Sequence, residues 1–400
     1  MPASAGGIAF PLAVTFAIQT VVALAVYCAP VMAPVAAPAM GMSPSAIGYF
    51  IAITYFGSML GTATAGGSVA RLGPIRVSQI GLALSCTGLA CSATGILPLA
   101  VLGAFFVGLG YGPTTPASSV ILVKAAPPSM VAFTFSIKQT GVPAGAAIAG
   151  VLVPALIPLV GWQGAALVIA ALCLALAFAI APGRRLYDQD RNPRAPISLR
   201  SVAAPIRMVL RDRRLREIAV SGFIFGGVQI TLVTYLVTFM TEAFAMTLVL
   251  AGLVLSVSQV ASVLGRVGWG VAADRLLTRR AMLGLLGVGM GLSCIITLLA
   301  APEWPRWLLF LFAAAFGATA VGWNGVWVAE VARLAPEGKV SEATGGSLFF
   351  TFLGVVITPP VFNAVLGMTG SYAPAYAIFG VPALAIGLRL LLWRTPGRGA

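Results

Sequence analysis

Apolar runs of about 20 residues recur from one end of the chain to the other, separated by short polar or basic loops. A helix rises about 1.5 Å per residue, so each run is long enough to cross roughly 30 Å of hydrocarbon. No water serves the backbone inside that layer, and helices keep their hydrogen bonds internal. The pattern predicts twelve transmembrane helices, at about 9–29, 46–68, 77–96, 98–123, 130–157, 162–181, 217–241, 247–272, 281–301, 306–332, 342–367 and 372–393. One long polar stretch divides them into six and six. The expected organisation is an N-terminal six-helix bundle (1–182), a basic linker (183–215) and a C-terminal six-helix bundle (216–400). The expected class is an all-α membrane protein.

Composition agrees: 59% of residues are hydrophobic and 8% charged, against roughly 25% charged in soluble domains. The net charge of +14 raises nucleic-acid binding, but the placement of the charges argues against it. "RLGPIR", Lys124, the stretch from Arg184 to Arg216, "DRLLTRR", "RLAPEGK" and "WRTPGRG" all fall on one side of a chain that crosses twelve times. The opposite loops carry Glu242, Glu303 and Arg306. The basic residues follow topology and form no patch, which puts both termini in the cytoplasm. "MPASAGGIAF" lacks the basic n-region of a cleaved signal peptide. Arginine dominates the 24 basic residues, which points to a GC-rich bacterial source and the inner membrane.

The chain has no His, which removes imidazole metal sites, His-dependent triads and His proton relays. The five Cys sit within apolar runs without CxxC spacing and read as small buried hydrophobes. No phosphate-cradling GxxxxGK[ST] is present. No enzyme, metal site or cofactor is expected. A non-transporting membrane sensor or assembly factor is disfavoured because no soluble domain is available to pass on a signal.

The two sets of six are related. "VKAAPPS" from Val123 and "ARLAPEG" from Ala332 align Lys124 with Arg333 and Pro127 with Pro336. "IQTVVALAVY" from Ile18 and "VQITLVTYLV" from Val228 align Gln19 with Gln229. "GGSVARLGPIR" and "GVAADRLLTRR" align Arg71 with Arg275. Three matches in one order describe two parallel repeats, a transporter plan with substrate near the midplane.

On these features the chain resembles the major facilitator superfamily over its whole length. The cytoplasmic motif of that family, G-x-x-x-D-R-x-G-x-x-R, follows helices two and eight here. The second copy keeps Gly270, Asp274 and Arg275; the first keeps Gly66, Arg71, Gly73 and Arg76 but has Ala70 in place of the aspartate. In relatives the aspartate helps latch the two halves, so the resemblance implies a latch at Asp274 and departs from it at Ala70. Plain anchoring of the arginines at the cytoplasmic face is the other reading.

Two charges lie inside spans. Lys138 is nine residues past Ser129, roughly 13 Å in, and Arg266 is eight residues before Asp274, at similar depth. Either side chain could snorkel toward the interface. Against that, the acids Glu242, Glu330 and Glu342 lie near helix ends, and Glu330 is spaced to pair with Arg333. A charge at the bilayer centre costs at least about 2.5–3.5 kcal/mol. Two without a resident acid imply a hydrated cavity and an anion from outside. The resemblance adds that monocarboxylate and oxalate porters carry an arginine on helix eight at the position of Arg266, in contact with substrate carboxylate. It also implies that helices five and eight flank one central cleft. Gln19, Gln229, Gln139, Gln259, Tyr111 and Asn324 are further candidates for substrate contact, with Tyr27, Tyr55, Trp323 and Trp327 as lining aromatics. Lipid facing or core packing is the alternative for each aromatic.

The linker sequence "SLRSVAAPIRMVLRDRRLREI" suggests a short amphipathic helix, with Pro205 opposing a single continuous one. The reading is a secondary transporter, acting as a monomer in the bilayer, that moves a small organic anion by alternating access. The alternative is a drug or metabolite efflux antiporter.

Overall fold

The computed structural model describes residues 7–127, 130–197, 203–337 and 339–392, with backbone alone at 131–133, 274 and 341. The side chain of Asp274 and the basic residues Arg200, Arg394 and Arg398 lie outside the described residues. Among the described residues every element is helical. Ten helical stretches are long and apolar enough to cross a bilayer. One of them, Thr134–Tyr187, runs 54 residues and turns at Gly161, whose φ of 71° interrupts the helix. It therefore makes two crossings, the fifth and sixth spans. Pro74–Ala93, 20 residues long, supplies the twelfth crossing as the third span in chain order.

The first span extends about ten residues past its expected end near 29. The first span runs Ala9–Ala39 through Pro30, Pro34 and Pro38, because neighbouring helices serve the backbone that proline frees. The fourth span is broken into Leu97–Tyr111 and Thr114–Ala125. The tenth is broken into Arg306–Ala320 and Asn324–Leu334. Gly112 and Val321, one at each break, are 209 positions apart, the offset that aligns Lys124 with Arg333. The interruption is a property of the repeat.

The helices pack into two compact units. Met1–Ser201 with Thr247–Ser256 form one, and Val202–Met246 with Val257–Ala400 form the other. In the first, backbones approach so closely that a Cβ on Gly108 would overlap Thr54 O. Membrane helices associate through such packing, because lipid tails are as apolar as leucine. In the second, Tyr235 stacks on Phe362 with ring centroids 4.0 Å apart. Glu217, near the start of the seventh span (Arg213–Ala243), accepts from Arg280 Nη2 at 2.9 Å and Arg389 Nε at 2.8 Å. It thereby ties together the seventh, ninth (Arg279–Ile296) and twelfth (Tyr372–Leu392) spans.

The linker's later part forms the helix Ala203–Arg211. Pro205 falls in its first turn, where a missing N–H costs nothing. Val209 is fully buried, and Asp212 ends the segment by capping the seventh span, accepting from the N–H of Arg214 and Leu215. The stretch is thus not one continuous helix, but the division falls at Asp212 and not at Pro205, where it was expected.

Candidate functional site

Breaking a helix inside a membrane frees carbonyls that must find other donors. At the fourth span, Gly112 O accepts from Thr62 Oγ1 of the second span (Ile47–Leu72) at 3.1 Å. At the tenth, Val321 O accepts from Arg266 Nε of the eighth span (Leu248–Arg275) at 3.1 Å. Thr62 and Arg266 are 204 positions apart, the offset that aligns Arg71 with Arg275. Arg266 therefore stands where the first unit has a threonine. It keeps the threonine's bond and adds a charged guanidinium to the position.

The glutamines of the first and seventh spans close the same breaks. Gln19 Oε1 accepts from Thr115 Oγ1 at 3.0 Å. Gln229 Oε1 accepts from Asn324 Nδ2 at 3.1 Å and from Trp323 Nε1 at 3.0 Å. Thr115 and Asn324 again share the 209 offset. Each unit therefore holds a polar node made of a broken span and a glutamine facing it.

Lys138 belongs to the node of the first unit. It ends the short helix Val131–Gln139, which Thr140 separates from the rest of the fifth span. The side chain is 1% exposed, so it does not reach a headgroup-level surface. Its Nζ donates to Thr115 Oγ1 at 3.2 Å, and it pairs with no carboxylate among the described residues. Thr115 Oγ1 in turn donates its hydrogen bond to Gln19 Oε1, and Gln19 Nε2 is buried with no hydrogen-bond partner among the described residues. An ammonium with three donors and an amide with two thus share few acceptors. The node is donor-rich and suits a ligand that brings acceptor oxygens.

The other expected residues are placed as follows. Gln259 is 2% exposed and donates to Ser258 Oγ at 3.2 Å; Gln139 is exposed. Tyr111 packs edge-on against Tyr55 at 6.1 Å, and Tyr55 shares a 2.9 Å hydroxyl bond with Tyr27. Trp327 is buried and donates to Ile218 O at 2.9 Å. Glu330 is bonded to Arg333 through both oxygens. Glu242 accepts from the Tyr372 hydroxyl at 2.8 Å.

The first motif copy has the linker against it. Arg71 and Arg76 are exposed, and Asn192 N–H donates to Ala70 O at 2.7 Å. Asp188 accepts from the N–H of Ile75 at 2.9 Å and of Arg76 at 3.1 Å, so a linker aspartate caps the third span. Gly73 turns there with φ 92°, and a Cβ would run into Asp188. Burial holds the Asp188 carboxyl above the usual carboxylate range, against the opposing pull of both N–H groups and of Arg184 and Arg191. In the second copy Gly270 has open space around it and Arg275 is exposed. Sequence reading missed Thr62, Thr115 and Asp188. The repeat offsets held the signal for the first two.

The sequence profile of the Major Facilitator Superfamily matches residues 15–331 and, in a second match, 239–400. A probable galactarate/D-glucarate transporter of Escherichia coli (strain K12) is 26% identical over 224 residues, 53% of this chain and 48% of that protein. The chain thus matches about half the length of that relative. An uncharacterized MFS-type transporter of Mycobacterium tuberculosis (strain CDC 1551 / Oshkosh) is 24% identical over 317 residues, 79% of this chain and 69% of that one. Among solved structures, a POT family transporter in complex with 5-aminolevulinic acid superposes with a TM-score of 0.78 at 16% identity, covering 95% of both chains. A D-xylose-proton symporter does so with a TM-score of 0.71 at 16% identity, covering 96% of this chain and 98% of that one. With twelve helical spans in two related sets of six and a profile match along nearly all its length, the chain belongs to the Major Facilitator Superfamily and is a membrane transporter.

Proposed function

We propose that the protein moves a small organic anion, of the carboxylate class, across the membrane by alternating access. Lys138 and Arg266 are the cations that meet the substrate. The reading is supported by Lys138, a buried ammonium whose one hydrogen bond among the described residues goes to a hydroxyl, beside an amide donor that has no partner among them. Desolvating a charge without a counter-ion is costly unless a ligand supplies one. Arg266 brings a planar fork that matches two carboxylate oxygens, and its bond to Val321 O orients it. The similarity to a probable galactarate/D-glucarate transporter supports the same substrate class. The basic loops support a topology with both termini on the cytoplasmic side of a bacterial inner membrane.

The test is uptake in proteoliposomes with labelled galactarate, glucarate and simpler carboxylates, with cationic dyes as the contrasting panel. Arg266→Ala and Lys138→Ala are each expected to lower carboxylate uptake at least tenfold while the protein still inserts and elutes as the parent does. Parental uptake in both variants, or transport of dyes alone, would refute the proposal.

A further inference from the structure

"RRLYDQDRNPR", residues 184–194, mixes four arginines with two aspartates, and in the folded chain the two kinds separate. Asp188 is 8% exposed and spends both oxygens on the backbone of the third span. Asp190 is bonded to Lys124 at 2.7 Å. Both acids are thereby committed to the first unit. Arg184, Arg185 and Arg191 are exposed. Arg184 Nε comes only to 4.0 Å from Asp188 Oδ2, and Arg185 and Arg191 form no ion pair among the described residues. With Gln189 and Asp188 these three line an open cleft of about 940 Å³ whose apolar wall includes Phe178 and Pro182.

Position gives the cleft its chemistry. It lies where the apolar stretch Thr134–Tyr187 ends, so it sits at the level of lipid headgroups. Phe178 is 71% exposed and Leu186 65% exposed, which calls for acyl chains to cover them. A soluble phosphate would satisfy the guanidiniums and leave this apolar surface bare. Planar arginine forks match phosphate oxygens in pairs, and Asp188, the one acid in the wall, is engaged by the N–H groups of Ile75 and Arg76, so three cations there face one carboxylate.

We propose that this cleft binds the phosphodiester of an anionic membrane lipid, held by Arg184, Arg185 and Arg191, with acyl chains lying on Phe178 and Leu186. The site is separate from the substrate node and does not depend on the proposed cargo.

The experiment uses the full chain in neutral detergent, with binding read by native mass spectrometry and thermal unfolding. Phosphatidylglycerol, phosphatidylcholine and glycerol 3-phosphate are added at matched concentrations. Phosphatidylglycerol is expected to bind and stabilise, and to do so less at high salt; the other two are not. Each arginine changed to Gln should weaken phosphatidylglycerol binding about fivefold, and the triple variant on the order of a hundredfold. If the triple variant fails to insert, Arg185→Gln alone decides the matter. Equal binding of phosphatidylcholine would overturn the proposal. So would glycerol 3-phosphate matching the lipid, or undiminished phosphatidylglycerol binding by the variants.

Discussion

A lysine that is 1% exposed, with a threonine hydroxyl as its acceptor, is a poor structural choice. If it only filled space, an apolar chain of the same length would serve better. Insertion scales put the cost of such a charge at about 2.5–3.5 kcal/mol or more. Lys138→Met is therefore expected to raise the unfolding midpoint of the ligand-free protein, by the equivalent of roughly 2–3 kcal/mol. It should also abolish stabilisation by carboxylates. Thermal unfolding with and without galactarate reads both effects. A Met variant less stable than the parent would make the ammonium a structural group and remove the main support for an anion site. Arg266 is different, because its Nε bond to Val321 O repeats what Thr62 does for Gly112 O. Part of that side chain serves the fold, and a clean separation of stability from function is expected only at Lys138.

Helices crossing a membrane are easy to read because hydropathy needs only a long apolar run, and all twelve were legible. Breaks within them were not. "GYGPTTP" and "AVGWNG" are rich in glycine and proline, but so are the unbroken ends of the first and eleventh spans. Only partners donated from the second and eighth spans show which interruption is tolerated. Likewise Gln19 and Gln229 could be aligned by sequence, whereas their grip on Thr115 and Asn324 depends on how helices cross. Asp188 was hidden because the donors it accepts from are backbone N–H groups more than a hundred residues away. The two nodes also differ in how far they are satisfied. Gln229 Oε1 serves two donors, Trp323 Nε1 and Asn324 Nδ2. Among the described residues Gln19 Oε1 serves one, and its amide nitrogen is buried unpaired. Orphaning a buried donor costs about 1–3 kcal/mol. Gln229→Leu should therefore destabilise by about 2–4 kcal/mol, and Gln19→Leu by less than half as much, with the larger loss of carboxylate binding. Equal destabilisation would mean that the glutamines are interchangeable clamps.

At the scale of the whole molecule the eighth span is divided between the units: Thr247–Ser256 packs with the first, and the rest, Arg266 included, belongs to the second. The N-terminal end of this span is held tightly. Ser256 Oγ donates to Ala147 O at 2.8 Å, and a Cβ on Gly252 would overlap Gly150 O, as one on Gly150 would overlap Gly252 O. This approach lies within the first unit, and it is possible only because each residue there is a glycine. Gly252→Val would force side-chain atoms against the carbonyl of Gly150 and overpack the unit. The variant is expected to lose about 1–3 kcal/mol of stability, read as a lower midpoint of thermal unfolding. Carboxylates should still stabilise it, because Lys138 and Arg266 are untouched. A Gly252→Val protein as stable as the parent would show that the helices can move apart here at no cost, and that the close packing of Gly150 on Gly252 contributes nothing to the fold.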